Sequence, residues 1–198
     1  MNNKESYNEY IKAFLEENSK VNLISKNDEK FLWEKHICDS LALKYFFEKY
    51  IIPEKLLDIG TGGGFPAVPI ALEYKQIQVI ALDSIAKKIR AIEAIKQKLD
   101  LQNLTTMCQR VENINEQFDV VTARAVASLD KISRYALPKV KNDGYFVAFK
   151  SRKVQEEIEA ANPVLKKINA KIVDIIEYKL PLDEEVFRNL VVIKKVAF

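Results

Sequence analysis

Four of the five glycines in this 198-residue chain sit within five consecutive positions, Gly60, Gly62, Gly63 and Gly64. They follow the apolar run Leu56-Leu57-Asp58-Ile59 and precede Phe65-Pro66. Glycine costs chain entropy, so a cluster in one turn asks for a physical reason. Close approach of the main chain to a ligand is that reason: a turn after a strand brings backbone groups to a nucleoside-type cofactor at the carboxyl edge of a sheet. A tight turn without a ligand explains four glycines poorly. Asp83 lies 23 residues beyond Gly60, at the end of a second apolar run. A carboxylate there can accept both ribose hydroxyls of an adenosine. The dinucleotide fingerprint G-x-G-x-x-G needs glycine at position 65, where this chain has Phe65, so a dehydrogenase is the weakest reading.

Other side chains able to do chemistry are few. His36 is the single histidine and has no Ser or Cys that the sequence pairs with it. A histidine on a half-buried helix is more often structural than functional, and Asp39 and Ser40 on the same segment share both readings. Cys38 and Cys108 make neither a disulfide framework nor a metal-ligand spacing, which suits a reduced protein. Arg124 follows the run 118–122, and Lys150 ends a later run. Charges at strand ends are poorly explained by core packing and fall where α/β folds hold ligands. Lys153 and Lys166 belong instead to a solvated helix face.

The elements that must position these residues follow from periodicity. Apolar residues at three- and four-residue spacing predict helices over 4–17, with Tyr10, Ile11 and Phe14, and over 29–49, with Phe31, Ile37, Leu41 and Phe46. Beyond Pro53, strand-like runs at 55–59, 78–82, 104–107, 118–122 and 144–149 alternate with helical stretches at 66–74, 85–99, 129–139 and 154–169. That alternation implies parallel pairing with right-handed crossovers. Two last runs, 171–178 and 189–196, have no helix between them and read as an antiparallel hairpin. The expected organisation is a helical extension over 1–52 and a cofactor-binding α/β domain over 53–198.

Composition sets outer limits. Hydrophobic residues make up 48% and charged residues 30%, as in ordinary globular chains. The apolar stretch at 67–72, like every other, is far short of a membrane span, and the N-terminus lacks a signal-peptide core, so a cytoplasmic protein without membrane contact is expected. Net charge is only +3, yet residues 122–153 hold eight bases against two acids. Such a stripe can attract a polyanion, or be a solvated face.

The spacing acid-x-Gly-x-Gly-x-Gly, through Asp58, Gly60, Gly62 and Gly64, resembles the first motif of Rossmann-like methyltransferases that bind S-adenosyl-L-methionine. The fuller phrase DIGTGGGFPAVPIAL is similar to the bacterial ribosomal RNA small subunit methyltransferase G family, also called glucose-inhibited division protein B. Further similarity runs through Asn22-Leu23, His36-Ile37-Cys38-Asp39-Ser40-Leu41, Leu82-Asp83-Ser84, Arg110-Val111-Glu112, the stretch Thr122 to Leu129, Phe149-Lys150 and Arg188-Asn189-Leu190. Ala67 and Ser151 stand where the family commonly has glycine.

The resemblance implies a class I methyltransferase fold: a mostly parallel seven-stranded sheet with an antiparallel last strand, plus an N-terminal helical extension. It implies methylation of N7 of a guanine in 16S rRNA, within the small ribosomal subunit; a monomer is expected. It places the cofactor against Asp58, Gly60, Gly62, Gly64, Phe65, Asp83, Ser84, Val111, Glu112 and Arg124. It places RNA against His36, Asp39, Arg124, Ser128, Lys150 and Arg188. Guanine N7 carries a lone pair and no proton, so the reaction needs alignment rather than a general base. Arg124 and Lys150 are then positioning candidates, and no residue is singled out as an acid or base. A small-molecule methyltransferase and a non-catalytic S-adenosylmethionine-binding module are the competing readings.

Overall fold

A computed structural model describes residues 4–151 and 154–197. Arg152 and Lys153, the last two bases of the basic stripe, lie outside the described residues. Seven strands run β1 Lys55–Ile59, β2 Gln78–Asp83, β3 Leu104–Cys108, β4 Phe118–Arg124, β5 Val140–Ser151, β6 Ala170–Lys179 and β7 Phe187–Lys195. Their order in the sheet is β3-β2-β1-β4-β5-β7-β6. Every pair from β3 to β5 is parallel, and β7 slots antiparallel between β5 and β6. The expected terminal hairpin is therefore present, and it folds back so that its second strand, not its first, meets the rest of the sheet. The strand order reverses between β1 and β4, which opens a crevice over the carboxyl ends of the strands.

The strands alternate their side chains between two apolar layers, as period-two geometry requires. Leu56, Val79, Ala81, Val120, Val147 and Leu190 face one layer. Helices α1 Asn8–Val21, α5 Ala67–Glu73 and α6 Ala86–Lys98 cover it, with Phe14, Ile70 and Ile92 fully buried. Leu57, Ile59, Val121, Phe146 and Val191 face the other layer, under α7 Leu129–Ala136 and α8 Gln155–Lys167. The N-terminal segment packs into the first layer: Phe14 lies 5.2 Å from Phe65 and Phe46 lies 5.3 Å from Tyr145, centroid to centroid.

Three elements differ from expectation. Helix α1 continues past residue 17 to Val21 and ends at Asn22, which takes a left-handed φ of 50°. Polar residues at the break in the apolar pattern are held in place there. Asn18 Oδ1 accepts the Ile24 N–H at 2.8 Å, and Glu17 pairs with Lys98 at 3.2 Å. The stretch 29–49 is several pieces instead of one helix: α2 Lys26–Glu29, a π-helical turn Leu32–Ile37, α3 Cys38–Leu41 and α4 Lys44–Lys49. The wider turn rephases the chain between Trp33 and Cys38, a device common at functional sites. Strand β5 begins at Val140, and its register against β4 jumps between Phe118 and Val120. Gly144 permits that jump, because a Cβ there would lie 2.7 Å from the Asp119 carbonyl oxygen.

Buried Asn103 closes the far end of the first layer. Its amide contacts the Ala71, Tyr74 and Ile77 carbonyls at 3.0 to 3.2 Å, tying the end of α5 to the loop that leads into β2. Asn103→Ala should cost about 2 kcal/mol by removing the donor to the buried Ala71 and Ile77 carbonyls and lower Tm by about 4–8 °C in a thermal melt. A shift under 1 °C would show the carbonyls to be satisfied otherwise.

Candidate active site

The glycine turn departs from β1 with Gly60, Gly62 and Gly64 at φ of 66°, 59° and 89°, a region L side chains avoid. The three positions differ in what surrounds them. A Cβ on Gly60 would lie 2.7 Å from Val126 Cγ2, and one on Gly64 would lie 2.7 Å from Val68 Cγ2. On Gly62 it would meet nothing nearer than the Gly60 carbonyl at 3.8 Å, so this backbone faces open space. The Gly62 N–H donates to Asp83 Oδ2 at 3.0 Å, and the Ile85 N–H donates to Asp83 Oδ1 at 2.9 Å. Asp83 thus braces the turn, and each of its oxygens keeps a lone pair for a further donor. Phe65 points the other way, buried beneath the N-terminal segment.

Asp58 is wholly buried under the turn. Thr122 Oγ1 donates to its Oδ1 at 2.9 Å, while Oδ2 and the neighbouring Thr61 hydroxyl lack a well-formed partner. Burial pushes the Asp58 carboxyl up to about 7, against the pull of the Thr61 and Thr122 hydroxyls and the Arg124 charge. A buried carboxyl beneath an open glycine backbone suits a ligand with an ammonium group, and the braced Asp83 suits a ribose. Both groups belong to S-adenosylmethionine, so these residues fit it.

Beside the turn lies a cleft of about 800 Å³. Its floor is built from strand ends: Arg124 of β4, Phe149 and Lys150 of β5, Arg188 of β7 and Tyr178 of β6. The N-terminal segment adds Asp28, Lys35, His36 and Asp39, and the loop after β4 adds Ala125 to Ser128. His36, Asp39, Arg124, Ser128, Lys150 and Arg188, far apart in sequence, all line this one space.

Arg124 is its hub. Nη1 donates to Asp39 Oδ2 at 2.9 Å and Nη2 meets His36 Nδ1 at 3.1 Å. The guanidinium stands 5.0 Å over the Phe65 ring, so the hub touches the glycine turn directly. Arginine only donates, so His36 Nδ1 accepts and the imidazole proton sits on Nε2. Burial, then the Arg124 charge, lower His36 to about 4, so the ring is neutral. Beyond Arg124 the chain turns sharply: Ala125 takes a φ of 55°, and Val126 is carried over Gly60 while staying 43% exposed.

Lys150 is engaged with protein groups. Its Nζ donates to Glu157 Oε2 and to the Ala127 carbonyl, each at 2.7 Å, and Glu157 Oε2 also accepts the Leu129 N–H. Lys150 therefore ties down the loop after β4. Ser84 is exposed where the chain enters α6, and Glu112 is exposed in the short turn Val111–Asn113, with Val111 packed on the second layer. Sequence reasoning missed Tyr178 and Glu157. Tyr178 reads as one more apolar position of a strand, and Glu157 as an ordinary first-turn carboxylate.

Sheet order, glycine turn, braced Asp83 and strand-end cleft together define a class I methyltransferase with S-adenosylmethionine as its cofactor. A solved S-adenosylmethionine-dependent methyltransferase from Methanosarcina mazei shares this fold, with a TM-score of 0.61 at 13% identity over 77% of this chain and 98% of that one. The family model for rRNA small subunit methyltransferase G matches residues 3–184. Ribosomal RNA small subunit methyltransferase G from Clostridium botulinum is 36% identical over 98% of this chain and 84% of its own length. Its counterpart from Thermoanaerobacter is 37% identical over 97% and 82%. The chain belongs to the rRNA small subunit methyltransferase G family.

Gly62→Ala should weaken S-adenosylmethionine binding by about tenfold or more, since the methyl enters the open space, while its left-handed backbone costs only about 1 kcal/mol. Calorimetric titration and a melt on the same sample separate the two, and unchanged affinity would move the cofactor elsewhere.

Asp58 and His36 should also leave opposed marks on stability. Asp58 titrates near 7 in the folded chain against an ordinary 3.8, so folding takes up a proton and stability falls as pH rises through that window. His36 titrates near 4 against 6.5, so folding releases a proton and stability rises up to about 6.5. Asp58→Asn should expose the rising slope and His36→Gln the falling one. Urea midpoints from pH 4.5 to 7.5 check this, and slopes of the same sign in both variants would refute it.

Proposed function

We propose that this chain transfers a methyl group from S-adenosylmethionine to N7 of a guanine in 16S rRNA, acting as a cytoplasmic monomer on the small ribosomal subunit. The observation carrying this reading is the convergence of His36, Asp39, Arg124, Ser128, Lys150 and Arg188 on one cleft beside the glycine turn. A cleft of this volume accepts a single splayed nucleotide rather than a duplex groove.

When bound, the cofactor would supply an electrophilic sulfonium methyl to the N7 lone pair, with the sulfur as leaving group. No proton moves, so the residues have only to align nitrogen with methyl and exclude water. The protein groups suit that task. His36 is neutral and already accepts from Arg124, and Asp58 is buried under the turn. Asp83 and Gly62 hold the nucleoside side, and the Arg124 hub joins the Phe65 end of the turn to the cleft.

Charge in the cleft is largely spent internally. Lys35 pairs with Asp28 at 3.1 Å, Arg124 with Asp39 at 2.9 Å and Lys150 with Glu157 at 2.7 Å. Among the described residues Arg188 has no ion-pair partner, so it is the cation best placed for an RNA phosphate. Lys150, which its strand-end position places beside RNA in the sequence reading, spends its charge on bracing the loop after β4.

Labelled cofactor and small subunits lacking the modification test the function. Label should enter 16S rRNA at a guanine N7. Label in small molecules alone, or cofactor binding without transfer, would overturn the proposal. Arg188→Ala should weaken subunit binding and reduce the slope of log affinity against log salt by about 1, while Lys150→Ala leaves the slope intact and lowers turnover. Equal slopes for wild type and Arg188→Ala would refute the phosphate contact.

A further inference from the structure

We infer that Tyr178 is a positioning residue for methyl transfer: its hydroxyl fixes the Asp39 carboxylate that in turn holds the Arg124 guanidinium between the glycine turn and the cleft. The inference rests on the methyltransferase reading above and adds a residue to its site.

The geometry is a strut across the sheet edge. Arg124 ends β4 and Tyr178 lies at the end of β6, with β5 and β7 between them in the sheet. Asp39, on α3 above the edge, reaches both. Tyr178 Oη donates to Asp39 Oδ1 at 2.6 Å, and Arg124 Nη1 donates to Asp39 Oδ2 at 2.9 Å. The Asp39 side chain is 8% exposed and that of Arg124 16%, so little water competes for either bond. Each carboxylate oxygen has one strong donor, and the two bonds together leave the carboxylate little freedom to rotate.

Tyr178 is itself held. The residue is buried, its ring sits 6.4 Å from that of Tyr45, and its backbone is in register with Arg188 of β7. Burial, then the Asp39 charge, raise its hydroxyl well above the ordinary tyrosine value, so it remains a donor throughout the working range. Without this hydroxyl the carboxylate keeps its bond to Arg124 but loses its anchor on the far side of the cleft. Arg124 then moves against Phe65 and His36, the two rings that relay its position to the glycine turn. Reaction geometry suffers while the cofactor's own contacts, at Gly62 and Asp83, are untouched.

Tyr178→Phe keeps the ring and removes the hydroxyl. With small subunits and labelled S-adenosylmethionine, kcat should fall about tenfold, with the cofactor dissociation constant unchanged within about twofold. In an Arg124→Lys background the same change should have little further effect, because both act through one guanidinium. Additive losses, or an unaffected kcat, would overturn the assignment. A readout independent of RNA is the Arg124 Nε–Hε resonance, identified by its loss in Arg124→Lys. Its exchange with water should quicken about threefold or more in Tyr178→Phe, and an unchanged rate would overturn the assignment even if no RNA were methylated. Failure of wild type to methylate RNA would sink the functional reading alone. Should Tyr178→Phe not fold, Asp39→Asn breaks the same strut from its centre and must give the same loss and the same faster exchange.

Discussion

The ion pair between Arg124 and Asp39 is the constraint on which the site depends. It joins the end of a central strand to a short helix 85 residues earlier in the chain, and both side chains are nearly dry. A buried ion pair is seldom a large source of net stability, because desolvating two charges offsets most of their attraction. What it supplies is definition. A guanidinium with donors to a carboxylate and an imidazole, and an aromatic ring beneath it, has one low-energy placement. The N-terminal helices therefore roof the cleft at a fixed height, where apolar packing alone would allow them to slide.

The remaining charges follow the same logic. Lys35, Arg124 and Lys150 each have an acidic partner at 2.7 to 3.1 Å, so the cleft is rich in charge but close to neutral. A site crowded with free cations would bind any RNA by counterion release and read little beyond charge. Pairing the cations internally lowers that unspecific term and leaves shape to select the substrate. It also spares the positive sulfonium from strong like-charge repulsion beside the reacting base, since each nearby cation is offset at short range.

The glycine turn and the Asp83 that braces it were legible in the sequence. Their physics is local: a strand, a turn that only glycine can make, and an acid at the tip of the next strand. Clustering of Gly60, Gly62 and Gly64 signals the backbone conformation directly, and Asp83 falls at a distance set by one βαβ unit. Strand order was legible for the related reason that alternating strands and helices admit few topologies. The strand-end cleft was legible only in its membership. Arg124, Lys150 and Arg188 could be placed at strand ends, but a sequence counts charges without showing their partners. That Glu157 takes up Lys150, or that Tyr178 anchors Asp39, depends on contacts between distant elements. The π-helical turn at 32–37 escaped for another reason. Its apolar residues fit an ordinary helix nearly as well, and only the rephasing between Trp33 and Cys38 distinguishes it.

That turn connects the two parts of the site. By widening one turn just before α3, the chain changes the face on which later side chains emerge, and both His36 and Asp39 come to line the cleft. His36 sits within the turn and Asp39 just beyond it, so one local irregularity supplies two of the three side chains that meet at Arg124. The third, Phe65, comes from the glycine turn on the opposite side. The guanidinium thus lies where a helical irregularity, a glycine-dependent bend and a strand end converge. Each of these is unfavourable or indifferent taken alone, and each persists because the others fix it. Alignment catalysis needs that kind of mutual constraint, since with no proton to transfer, the rate depends on how narrowly the reacting atoms are held.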